Sequence, residues 1–335
     1  MNKEKKLVWE SVVWISWEKH RRTRELSNVL GIELHELIFD CNFLFRYSVL
    51  SLRTCWLIFK KKPSIVFVQC PSIVLTLLAI ILKRFFCYIL VIDAHNAAVY
   101  PNTRNKSWIS LYKFMHRMAD LTIVTNNALE KIIKSYYGIP FVLPDVIPHF
   151  SNYKKVELDE GFHLLFICSF SDDEPYLEVV EAARLLLEVN VTLHITGKYE
   201  KASRFFLENL PSNINLLGYL SEMDYMNLLY SVDGVIDLTL RNDCLVCGAY
   251  EAVALGKPLI ISDTTTLRYL FSKGALYTSP NNSDIANSIK KLINEKEFLS
   301  GEVKQLKEEL TNKEEYRLKQ LEEVIKHLVG NKHGA

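Results

Sequence analysis

Apolar and polar positions follow two alternating rhythms along this chain. Short continuous apolar runs, rich in branched residues, recur between longer stretches whose apolar positions repeat every three or four residues. In the first part this predicts strands over 7–15, 33–39, 64–69, 88–93 and 121–125. Helices are predicted between them over 18–30, up to 59, over 75–82 and over 108–118, the first stopped by Gly31. Pro140, Pro144 and Pro148 break the rhythm over 139–153. It restarts with strands over 163–169, 192–196, 214–217, 234–237 and 258–262, alternating with helices over 175–188, 221–231 and 249–255. Buried strands alternating with helices predict an α/β chain of two Rossmann-like, doubly wound domains that can face one another across a cleft. The expected division is an N-terminal domain over 1–150, a second domain over 151–284, and charged C-terminal helices over 285–335. In that last region Leu299, Val303, Leu306, Leu310, Leu321, Val324, Ile325 and Leu328 form one stripe, expected to dock back on the body.

Charge sharpens the division. The net charge is only +1, yet residues 1–150 hold 20 Lys and Arg against 11 Asp and Glu, leaving 20 against 28 in the remainder. The first half is therefore expected to face something anionic. The apolar run over 63–82 is split by Gln69 and Pro71 into strand and helix, so it reads as buried structure rather than as a span. The flanking Lys60-Lys61-Lys62 and Lys83-Arg84-Phe85-Phe86 read as a surface that can rest on anionic lipid. The N-terminus MNKEKK leads into no long apolar core, and seven scattered cysteines suit reduced thiols. A cytoplasmic protein is expected, with peripheral association at the inner face of the cell membrane. Cys244 and Cys247 form a C-x-x-C with no second pair, so no metal site is expected. With 12 glycines and no G-x-G-x-x-G or G-x-x-x-x-G-K-[ST], the chain is neither a dinucleotide dehydrogenase nor a P-loop enzyme, and no cofactor is implied. No nucleic-acid-binding signature accompanies the basic half.

Residues 241–263 carry the clearest chemistry: a polar loop, a helix of small residues, a Gly-Lys-Pro turn and a buried strand. Asp243 falls in the loop and Glu251 on the helix. Both carboxylates can be aimed at one end of a sheet, where they would accept hydrogen bonds from vicinal hydroxyls such as those of a ribose or hexose.

Asp243, seven residues, Glu251 and the following Ala-Val-Ala-Leu-Gly-Lys-Pro-Leu-Ile-Ile-Ser-Asp resemble the E-x7-E region of retaining, nucleotide-sugar-dependent GT-B glycosyltransferases (family 4-like). Gly218-Tyr219-Leu220-Ser221 resembles the loop beside the nucleobase, and Asp93-Ala94-His95-Asn96 stands where that family has a histidine at the donor cleft. The resemblance implies a metal-independent hexosyltransferase-like enzyme. It would move a sugar from a nucleotide-sugar donor to a glycan or polyprenyl-diphosphate-linked acceptor in cell-surface polysaccharide assembly. Glu251 would bind the ribose, while Asp243, one methylene shorter than the usual Glu, would face the transferred sugar with His95. The family usually offers an Arg and a Lys after the first strand of this domain, but here Ser169-Phe170-Ser171-Asp172-Asp173-Glu174 is acidic. Lys198, Arg241 and Ser169 remain to meet the diphosphate, and Asp172 and Asp173 are expected to cap the next helix. Arg21 and Arg22 are expected to meet a donor or acceptor phosphate. Two alternatives stay open: a GT-B nucleotide-sugar epimerase, and a non-catalytic GT-B partner subunit.

Overall fold

The structure is a computed structural model that describes residues 11–100, 105–202 and 207–333. The chain divides into two compact units, one running to Val146 and resuming at Lys313, the other Ile147–Asn312.

In the first unit the order is β1 (Val12–Ser16), α1 (Arg21–Val29), β2 (Glu33–Glu36), α2 (Phe43–Lys61), β3 (Ile65–Cys70), α3 (Ile73–Phe86), β4 (Ile89–Ala94), a short α4 (Asn96–Val99), α5 (Lys106–Met118), β5 (Leu121–Val124), α6 (Asn127–Ser135) and β6 (Pro140–Val142). The strands form one parallel sheet ordered β2-β1-β3-β4-β5-β6. Every residue of β3 and β4 is buried, as their unbroken apolar runs require of strands covered on both faces. Positions 7–10 of the expected first strand lie outside the described residues. The first helix starts at Arg21 rather than 18, because His20 is still extended at φ −136°. The proline-broken stretch holds β6, an edge strand that Pro140 opens, where a missing N–H costs no central ladder bond.

The second unit repeats the pattern: β7 (Phe162–Phe166), α7 (Tyr176–Arg184), β8 (Val191–Thr196), a 3-10 turn at Tyr199–Lys201, β9 (Ile214–Gly218), α8 (Glu222–Ser231), β10 (Gly234–Asp237), α9 (Cys247–Ala254), β11 (Leu259–Ser262), α10 (Thr265–Leu270) and β12 (Ala275–Thr278). Its sheet is parallel and ordered β12-β11-β10-β7-β8-β9. The chain winds outward from β7 to β9, then returns to β10 on the other side of β7, so the topological switch lies between β7 and β10.

The C-terminal region is one helix, α11 (Asn282–His333), divided between the units. Its first part buries Leu299, Val303, Leu306 and Leu310 in the second unit, whereas Leu321 and Ile325 are buried with Trp14, Leu26 and Val91 in the first. A single amphipathic stripe serves both cores. Among the described residues no helix is long and apolar enough to cross a membrane.

Candidate active site

In the second unit the candidate residues gather at the carboxyl ends of β7, β8, β9 and β10, the edge at which open parallel sheets bind ligands. Glu251 lies in the second turn of α9 and is buried. Its Oε2 accepts the phenol O–H of Tyr225, one turn into α8. Beneath it, Asp237 closes β10 and accepts backbone N–H groups of Gly248 and Ala249 at the start of α9. Burial first, then the charges of Glu251 and Glu174, push the Asp237 carboxyl well above the usual carboxylate range. The fit is tight: a Cβ at Gly248 would lie 2.5 Å from Asp237 Oδ2, so glycine lets the helix start approach the strand end. Asp243 sits in the loop ahead of α9, half-buried.

Two candidate cations are engaged at the sheet edge. Arg241 Nε lies 2.9 Å from Asp173 Oδ2, tying the loop after β10 to the loop after β7 across the topological switch. Lys198 lies at the outer strands, its Nζ 5.9 Å from the ring centroid of Tyr219, which is 81 % exposed. Gly218, at φ +70°, accepts the Gly197 N–H at 2.8 Å and joins these two loops, with Leu220 half-buried after it.

The acidic loop differs from expectation. Asp172 and Asp173 do not cap α7: Pro175 occupies the cap position without a side-chain cap, and Asp173 is taken by Arg241. Glu174 folds back into its own loop. Its Oε2 accepts Ser169 N–H at 2.8 Å and Ser171 N–H at 3.0 Å, and its Oε1 accepts Ser169 Oγ–H at 3.0 Å. Phe170 between them has φ +57°, the alternation that turns successive amides toward one point. The loop thus forms an anion nest whose occupant is an internal carboxylate.

The first unit builds a different centre. Asp93, at the end of β4, is fully buried, and Arg22 Nε donates to its Oδ1 at 3.1 Å. The same guanidinium donates to Asp145 and, from Nη2, to the Leu143 carbonyl at 2.9 Å. Arg22 is therefore not a cation presented to phosphate: its side chain is 2 % exposed and fully engaged. Although burial opposes it, the ion pairing raises the guanidinium's pKa; burial likewise opposes ionisation of Asp93, and Arg22 and His95 hold that carboxyl well below its usual range. Arg21 instead points outward, its Nε 3.9 Å from Glu25. His95 Nε2 is 3.5 Å from Asp93 Oδ2, and His20 packs edge-on to the His95 ring at a 4.0 Å centroid distance. Burial, then the neighbouring His95, lowers the His20 pKa to about 4, so this imidazole is neutral near pH 7.

Sequence reasoning missed Tyr225, Asp237, Glu174 and His20. Asp237 and Asp93 share a readable signal, a lone carboxylate ending an apolar strand. Tyr225 stands four residues after Ser221, where the N-cap of α8 predicts the first turn. Among the described residues no group of three or more His, Cys, Asp or Glu could hold a metal ion.

Residues 152–311, almost all of the second unit, match the family model for glycosyl transferases group 1. No curated protein matches the chain. Among solved structures it is similar to HepE of Anabaena in complex with UDP and glucose, with a TM-score of 0.73 at 12% identity over 95% of this chain and 100% of that one. It is also similar to sucrose-phosphate synthase from Thermosynechococcus elongatus, with a TM-score of 0.70 at 13% identity over 97% and 90%. A glycosyltransferase from Rickettsia africae matches with a TM-score of 0.63 at 12% identity over 96% and 90%. The chain has the GT-B fold, and residues 152–311 of its second unit are similar to glycosyl transferases group 1.

Proposed function

We propose that this protein is a glycosyltransferase that takes a nucleotide-sugar donor at the carboxyl edge of its second sheet and passes the sugar to a glycan or lipid-linked acceptor, with retention and without a metal. The carrying observation is Glu251: a carboxylate on α9 held by Tyr225, within the region that the family model matches. Oε2 accepts the tyrosine O–H, and the several lone pairs of a carboxylate suit it to accept the paired hydroxyls of a ribose as well. Asp243, in the loop before that helix, is assigned to the transferred sugar, and Gly218, Tyr219 and Leu220 to the base. Lys198, Arg241 and the serine hydroxyl of Ser169 are the groups assigned to the diphosphate, Arg241 after exchanging Asp173 for it. In the first unit, His95 is the group assigned to the sugar or the reacting oxygen. Asp93 acts as its positioning residue, and the half-buried Arg21 beside Glu25 is assigned to an acceptor phosphate. Solved relatives in complex with UDP and glucose support the donor class.

A second reading, a GT-B partner subunit without transfer activity, is favoured by Glu174 filling the loop amides where the family offers cations. The test is UDP release from UDP-sugars with and without an acceptor fraction. Acceptor-dependent release supports transfer. Nucleotide binding without turnover supports the partner subunit, and conversion of the donor without acceptor would mark an epimerase.

A further inference from the structure

From Cys41 to Ile92 the sequence contains seven Lys and Arg and not one Asp or Glu. That stretch includes α2 and α3, and α2 leaves large apolar side chains in solvent: Phe45 is 54 % exposed, Leu52 71 %, Trp56 60 % and Phe59 65 %. At 100° per residue these four fall within an arc of about 60°. Arg46, Arg53 and Lys60, spaced seven apart, form a parallel row beside that stripe. The opposite face, Leu50, Thr54, Leu57 and Ile58, is buried on the sheet. The helix is therefore docked by one face and presents a second apolar face, flanked by cations, outward. At its start Asn42, Phe43, Leu44, Phe45 and Ser48 line an open cavity of about 540 Å³ that continues the apolar surface.

The C-terminal end of α3 extends the same surface. Ile81 is 56 % and Phe85 76 % exposed, Arg84 is exposed between the helix ends, and the Phe59 and Phe86 rings lie 6.5 Å apart. Two lysines are engaged elsewhere, Lys61 with Glu33 and Lys83 with Asp120 at 2.8 Å. Lys60 and Lys62 remain exposed, with the Lys60 ammonium 4.7 Å over the Trp56 ring.

We propose that this face of α2, with the end of α3, rests on the surface of an anionic lipid bilayer, its aromatic and aliphatic side chains in the headgroup boundary and its cations among the lipid phosphates. Charge complementarity selects this occupant. A row of cations with no acid for 52 positions would repel a second copy of itself but suits a uniformly negative plane. The inference does not rest on the donor-site reading, since lipid binding requires no nucleotide.

The test is co-sedimentation of the full chain with vesicles of one-third phosphatidylglycerol in phosphatidylcholine, beside pure phosphatidylcholine vesicles. Binding to the anionic vesicles is expected, weakening as salt rises. The exposed substitutions L52E and W56E together should abolish it while leaving the thermal midpoint and the response to UDP unchanged. The triple variant K60Q/K62Q/R84Q should lose about fivefold in affinity per cation removed, about a hundredfold in all. Equal binding to both vesicle types, or either variant pelleting like the parent chain, would overturn the proposal. So would a dimer in solution that L52E/W56E dissociates, because the face would then belong to a second copy.

Discussion

The two units wind their sheets by related rules, but they treat the loop after their first strand in opposite ways. After β1 the chain supplies a cation, Arg22, and buries it against Asp93, Asp145 and the Leu143 carbonyl. After β7 it supplies an anion, Glu174, which fills the amides of Ser169 and Ser171 in a partly exposed turn. The first arrangement is sealed and fixes the strand-end carboxylate that faces His95. The second is partly exposed to solvent and holds only an internal carboxylate. Equivalent positions in two similar halves thus hold a sealed cation in one unit and a partly exposed anion in the other.

The sharpest way to break this contrast is Arg22→Met. It leaves the buried Asp93 without its guanidinium partner, and should destabilise the first unit by about 3–5 kcal/mol in urea unfolding. Adding Asp93→Asn should recover part of that loss; no recovery would mean that the guanidinium contributes by packing alone. Glu174→Ala should cost less, about 1–3 kcal/mol at most, because water can reach the amides it abandons. If the nest faces the diphosphate, the same variant should bind UDP several-fold more tightly in calorimetry. Unchanged affinity would place the diphosphate elsewhere.

A gentler probe is pH. Burial, then a neighbouring histidine, lowers His20 in the first unit and His194 in the second to about 4. Both are lowered from an ordinary value of 6.5, so their unfolded forms take up protons first. The stability they contribute is present above pH 6.5 and is lost as pH falls from there toward 4. His194→Asn should flatten that slope in thermal unfolding between pH 7 and 4, although His194 also pairs with His163 at 3.0 Å and the substitution perturbs that contact.

The fold was legible because both sheets are built from strands buried on two faces, which leave unbroken apolar runs in the sequence. The misreadings have local causes. Pro140 opens an edge strand, where proline is tolerated, and the stripe expected to dock several C-terminal helices on the body lies on one long helix supplying two cores. The placement of Glu251 on a helix of small residues could be read from its spacing. The partners of the charged residues could not: Arg22 meets Asp145 from 123 positions away, and Arg241 meets Asp173 across two loops. Ion pairs of that range leave no periodic trace, so a cation read as phosphate-facing can prove to be internal.

The most direct measurement is thermal shift of the whole chain against UDP and a panel of nucleotide sugars, run beside Glu251→Gln and Tyr225→Phe. Ligand at 100 times its dissociation constant should stabilise the parent chain by about 2.7 kcal/mol. Glu251→Gln should largely remove the response to nucleotide and nucleotide sugar alike, and Tyr225→Phe should reduce it less. A parent chain that responds to none of these ligands, or a Glu251→Gln variant that responds as the parent does, would contradict the assignment of Glu251 as the nucleotide's ribose ligand.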